Sequence, residues 1–104
     1  LFEWVVENLC KNAVDAMEGR GTLTIEMSET SSAVVVDITD TGRGISKSNI
    51  SKVFNMGFTT KKRGWGLGLS LSRRIIKEYH GGKIYVKHSQ IDKGTTFSIE
   101  LKKK

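Results

Sequence analysis

Ala33-Val34-Val35-Val36-Asp37-Ile38-Thr39-Asp40-Thr41-Gly42-Arg43-Gly44-Ile45 is the stretch on which the fold turns. Its first seven residues are rich in β-branched side chains and read as a strand. Asp40 ends that run, and Gly42 and Gly44 follow it. Glycine lets a backbone adopt positive φ or approach a bound molecule closely. A carboxylate at a strand end can accept a hydrogen bond from an exocyclic amine such as that of adenine. Asp and Gly are also ordinary turn residues, so this segment alone leaves a simple turn open.

Upstream, Thr22 to Ser28 alternates Leu23, Ile25 and Met27 with Thr24 and Glu26, which predicts a half-buried strand. Ser31-Ser32 supplies a turn, so the two strands form a hairpin. Before them, Phe2, Val6, Leu9, Ala13 and Met17 recur at three- and four-residue steps. That spacing predicts a helix over residues 1 to about 18, ended by Gly19 and Gly21. The helix opens the chain with no capping residue before it, as expected of a piece trimmed from a longer protein. Downstream, Ser46 can cap a short helix over roughly 47–54. Residues 55–66 carry no clear period and read as a loop. Gly66 to His80 is helical again, with Leu69, Ser72, Ile75, Ile76 and Tyr79 inward, and Gly81-Gly82 stops it. Lys83–Ser89 and Thr95–Leu101 alternate as a second hairpin turning near Asp92-Lys93-Gly94. Short turns favour antiparallel pairing, and one-sided helices imply a two-layer α+β sandwich with the helices on one face of the sheet.

The 104 residues suit one domain. Cys10 is the single cysteine and cannot form an internal disulfide, which favours a reducing compartment. No apolar run reaches the length of a membrane span. The net charge of +6 is compatible with a polyanionic partner, but no nucleic-acid motif accompanies it. The basic residues therefore read as solvated surface, and no nucleic-acid partner is expected.

Four groups of residues can carry chemistry. Asn8 and Asn12, four apart on the first helix, project on one side and offer amide oxygens to a hard cation such as Mg²⁺. Asp40 with its glycines is the second. Gly64-Trp65-Gly66-Leu67-Gly68-Leu69-Ser70 opens a helix, where freed N–H groups and the helix dipole suit phosphate. Its spacing fits neither a P-loop nor a dinucleotide fingerprint. Phe58-Thr59-Thr60-Lys61-Lys62-Arg63 precedes it and can bring a cation to phosphate. Taken singly, each has an ordinary structural reading as surface, turn or charged loop.

In this order the four resemble the catalytic ATP-binding domain of sensor histidine kinases, in the superfamily of DNA gyrase, mismatch-repair ATPases and a heat-shock chaperone. Glu7–Ala13 resembles the N box and Asp40–Ile45 the first glycine box. Phe54 and Phe58 resemble the F box, and Gly64–Leu69 the second glycine box. His80-Gly81-Gly82 and Gly94-Thr95-Thr96-Phe97 resemble the closing strand pair. The resemblance covers essentially the whole chain.

The resemblance implies a mixed, mostly antiparallel sheet and ATP with Mg²⁺ as cofactors. Asn12 would be the metal ligand, with Asn8 beside it near the phosphates. Asp40 would take the adenine amine, and Gly42 and Gly44 would turn beneath the base. Lys61, with Arg63 behind it, would reach phosphate, and Gly66, Leu67 and Gly68 would present backbone donors. Thr95 or Thr96 would approach the adenine side, Thr96 being taken as the binding residue. Asn8, Lys61 and Glu7 are the candidate catalytic residues. In the ATPase branches a glutamate four residues before the metal asparagine activates water. Asn8 stands there instead, which suits transfer to histidine rather than to water. Trp65 is a further departure, standing where a small residue is more usual.

Neither His80 nor His88 has a phosphoacceptor setting. The partner implied is therefore a separate phosphoacceptor and dimerisation domain, and through it a response regulator. The expected setting is cytoplasmic, with any membrane anchor in other domains, and a monomeric module within a homodimeric parent. Related readings are a serine-directed anti-sigma kinase, a mitochondrial protein-kinase relative and a nucleotide-sensing module.

Overall fold

The computed structural model describes residues 2–55 and 68–103. Lys61, Gly66 and Leu67 lie outside the described residues, as do Phe58, Arg63 and Trp65 and the side chains of Tyr79 and His80.

Helix α1 spans Phe2–Ala16. Val5, Leu9 and Ala13 are its buried positions, and Phe2 and Val6 are half-buried beside them. The stripe thus follows the helical period, with Val5 added to the expected set. The helix stops before Met17 because Glu18 and Gly19 take φ of 54° and 78°, values no helix interior tolerates. Strand β1 is Thr24–Glu29 and β2 is Ala33–Thr39. Thr30 closes their turn, its Oγ1 accepting from the Ala33 N–H at 2.9 Å. Helix α2 is one turn, Lys47–Ile50, shorter than the expected 47–54. Its continuation to Asn55 is irregular turn that still buries Val53. Helix α3 is Gly68–His80, β3 is Lys83–Gln90 and β4 is Gly94–Lys102.

The sheet order is β1-β2-β4-β3, and every pairing in it is antiparallel. The two hairpins supply the outer pairs, and β2 meets β4 in the middle, Val36 opposite Ile99 and Ile38 opposite Phe97. Alternation sends Val36, Ile38, Phe97 and Ile99 to one face, where α1 and α3 cover them. Leu9, Ile76 and Ile99 lie at the centre of this core, each no more than 1% exposed. Truncating Ile76 to alanine would cost about 2–5 kcal/mol in lost burial and cavity formation.

The expectation for β1 requires correction. It is exposed along its whole length rather than half-buried. Ile25 and Met27 point to the helix side, opposite Ile38 and Val36, yet remain 49% and 73% exposed. The helices pack over β2, β4 and β3, and the edge strand lies beyond their reach. Among the described residues, no helix is long and apolar enough to cross a membrane.

Candidate functional site

The loop after β2 is pinned on three sides. Asp40 N–H donates to the Thr95 carbonyl of β4 at 2.9 Å. Arg43 N–H donates to the Ala16 carbonyl, at the end of α1, at 3.1 Å. Asp92 N–H, in the β3–β4 turn, donates to the Arg43 carbonyl at 2.8 Å. Gly42 packs so closely on α1 that a Cβ there would stand 2.6 Å from the Ala16 carbonyl group. Gly44 has φ of +74°, which glycine adopts without the penalty a side chain would bring. The loop is therefore a fixed shelf between the end of α1 and the second hairpin.

Asp40 sits on this shelf at 4% exposure, the one charged side chain in the buried set among the described residues. Its Oδ1 accepts from the Gly42 N–H at 2.8 Å. Burial pushes its carboxyl pKa up; the N–H groups of Gly42 and Thr95 and the charge of Arg43 pull it partly back. Such a carboxylate keeps acceptor capacity in a place of low dielectric, where a donated hydrogen bond is strong.

Along α1, Asn8, Asn12 and Ala16 lie four apart on one line. At 1.5 Å per residue this line is about 12 Å long. Its Ala16 end touches the Asp40 shelf. At its other end, Asn8 Nδ2 donates to Ser72 Oγ on α3 at 3.1 Å. Asn12 is half-buried between the two. The asparagine row therefore bridges the Asp40 loop and the first turns of α3, whose N-terminus carries the positive end of the helix dipole. Glu7 is exposed and points off this row.

The structure separates Thr95 from Thr96. Thr95 is buried on the side of Asp40, following Phe97 and Ile99 in alternation. Thr96 faces the other side of the sheet, its Oγ1 2.9 Å from that of Thr39. Two adjacent threonines differ in register alone, and composition does not say which faces in. Phe54 is held edge-on to Phe97 with centroids 6.1 Å apart, and the Arg73 guanidinium lies 5.3 Å from its ring centroid. Sequence patterns do not single out Asp92 or Ala16, whose part in the shelf is made through backbone groups.

Among the described residues, no three His, Cys, Asp or Glu side chains gather as a metal cluster. A cation at the asparagine row would depend on neutral amide oxygen, on water and on the oxygens of its ligand, which is the way Mg²⁺ is commonly held with phosphates.

The sequence profile of the histidine kinase-, DNA gyrase B- and HSP90-like ATPases matches residues 1–104. The chain belongs to this family. It is 40% identical over 97 residues to the sensor histidine kinase ZraS of Escherichia coli K12, covering 93% of this chain and 20% of that protein. It is 41% identical over 97 residues to sporulation kinase A of Bacillus subtilis, covering 93% and 16%. It therefore spans about a fifth or less of the length of these relatives. Among solved structures, the catalytic domain of histidine kinase ThkA superposes with a TM-score of 0.82 at 35% identity, covering 95% of this chain and 65% of that one. The mycobacterial sensor histidine kinase MprB superposes at 0.84 with 25% identity, covering 95% and 70%. The fold is thus that of histidine kinase catalytic domains, a two-layer α+β sandwich with its helices on one face.

Proposed function

We propose that the chain is the catalytic module of a two-component sensor kinase, binding Mg-ATP and donating the γ-phosphoryl group to a histidine on a separate dimerisation domain. The observation that carries this reading is Asp40: a buried carboxylate on a rigid glycine shelf, at one end of an asparagine row about 12 Å long. The spacing suits a ligand with an amine-bearing base at one end and phosphates at the other.

In this reading Asp40 accepts the adenine amine, and Thr95 lies on the same side. Gly42 and Gly44 keep the shelf low enough for the base. Asn12 is the Mg²⁺ ligand, and Gly68, with Gly66, Leu67 and Lys61 before it, serves the phosphates. Bound Mg²⁺ supplies charge neutralisation at the phosphates. Asn8 has no basic group with which to take a proton from water, and its Nδ2 is committed to Ser72. Hydrolysis is therefore disfavoured, and the γ-phosphoryl group waits for an imidazole brought in line by the partner domain. Glu7, exposed and off the row, takes no part in this mechanism. The module acts as a monomer in the cytoplasm, within a homodimeric parent that serves a response regulator.

The test is a calorimetric titration with a non-hydrolysable ATP analogue, with and without Mg²⁺, repeated with the GTP analogue. Saturable binding that prefers adenine and tightens with Mg²⁺ is expected. Absence of saturable binding sinks the reading.

A further inference from the structure

Alternation along β3 breaks at one point. Val86 pairs with Phe97 and His88 with Thr96, so Lys87 is an extra residue in the strand. Ile84 and Val86 face the helices and join the core. Unbroken alternation would bring His88 to that face next. The bulge brings Ser89 there instead, opposite Thr95, and leaves His88 exposed opposite Thr96.

Ser89 Oγ accepts from the Ile45 N–H at 2.7 Å. It also lies 2.8 Å from Thr95 Oγ1 and 3.3 Å from the Gly94 carbonyl. Ile45 closes the Asp40–Ile45 loop, and Thr95 carries the backbone that pairs with Asp40 at its start. One hydroxyl thus ties the far end of the shelf to the strand that holds its near end. No apolar side chain can do this, because the Ile45 N–H needs an acceptor.

We propose that Ser89 is a positioning residue of the nucleotide site, placed by the β3 bulge, and that it sets the Asp40–Ile45 shelf at the height that discriminates adenine from guanine. Ser89 touches no reacting atom; it acts through Ile45 and Thr95. The inference rests on the adenine-nucleotide reading above.

The test measures binding of non-hydrolysable ATP and GTP analogues to the wild type, Ser89→Ala and Ser89→Thr, all below their melting transitions, with melting temperatures taken separately. Ser89→Ala is expected to weaken ATP-analogue binding by about fivefold or more, the effect of one lost hydrogen bond. Its preference for adenine over guanine narrows, and Ser89→Thr, which keeps the hydroxyl, restores both. If Ser89→Ala does not fold, Ser89→Cys, which keeps the size and weakens the acceptor, is read in its place. A folded Ser89→Ala that melts earlier but keeps wild-type affinity and preference overturns the proposal. So does a folded Ser89→Thr that restores neither. Absence of saturable binding by the wild type overturns the underlying reading, and the proposal falls with it.

Discussion

Asn8 and Ser72 meet between the two long helices, Nδ2 donating to Oγ at 3.1 Å across 64 residues of sequence. Ser72 is fully buried and Asn8 half-buried, so this contact is partly shielded from competing water. A residue expected to work at the phosphates is therefore also a joint of the fold. A double-mutant cycle with Asn8→Ala and Ser72→Ala, followed by urea unfolding, is expected to give a coupling of about 0.5–1.5 kcal/mol. A coupling near zero would mean that the bond adds nothing to stability and that Asn8 is held elsewhere.

Asp40→Asn is expected to leave the fold intact and weaken adenine-nucleotide binding by at least about tenfold, the worth of a hydrogen bond to a charged group. Asn Oδ1 can still accept from the Gly42 N–H, so the shelf survives. The variant also carries a pH signature. The folded-state pKa of Asp40 is raised by burial, so its contribution to stability is fully present below the unfolded value and is lost as pH rises through the folded one. Above the folded-state value the wild type bears a buried charge that the variant lacks. Asp40→Asn should melt higher there, and its advantage should shrink as pH falls into the acid range. Unchanged nucleotide affinity in the variant would remove Asp40 from the base site.

Most of this arrangement could be read from the residues, and the failures have physical causes. The periodicity of Leu9, Ala13, Ile75 and Ile76 gave both long helices, because 3.6-residue spacing survives any tertiary context. The alternation of Val36, Ile38, Phe97 and Ile99 gave the central strands. For β1 the same signal misled. Ile25 and Met27 alternate as a buried face does, but which strand lies at the sheet edge depends on helix placement, which no local pattern encodes. Asp40, Gly42 and Gly44 stood out because their residue types are special. Ser89 did not, because its role follows from a one-residue bulge that shifts the register, and an alternating sequence does not reveal where it slips.

Gly42→Ala tests the shelf itself. The added methyl would stand 2.6 Å from the Ala16 carbonyl carbon and oxygen, backbone atoms that cannot swing aside. The variant is expected to lose about 1–3 kcal/mol of stability through overpacking. It should also lose nucleotide binding, since the shelf must lift away from α1. Thermal melts and titration with the ATP analogue measure the two effects. Normal binding in this variant would show that the shelf tolerates displacement.

Asn12→Ala separates the metal from the base. It is expected to bind the ATP analogue with an affinity that no longer responds to Mg²⁺, while keeping its preference over the GTP analogue. Titrations in the presence of Mg²⁺ and of a chelator give both quantities. An undiminished Mg²⁺ response would move the metal ligand off α1.

Asp37 gives the opposite pH signature three residues before Asp40. It lies on the other face of the sheet, where its carboxylate accepts from Lys87 Nζ at 2.8 Å and from the Ser98 hydroxyl. Those bonds, Lys87 first, hold its pKa below the ordinary carboxylate range. A depressed folded-state pKa contributes stability that is present above the unfolded value and is lost as pH falls through the folded one. Asp37→Asn should therefore melt below the wild type at neutral pH, by a modest margin because Lys87 is largely exposed and solvent screens the pair. The deficit should close in acid, below about pH 4, where the unfolded carboxyl titrates. The two aspartates thus separate by sign: once both carboxyls are ionised one asparagine variant gains and the other loses, and both differences decay toward low pH. A deficit for Asp37→Asn that stays constant across the acid range would mean that the lost contact is packing against Ser98 rather than charge.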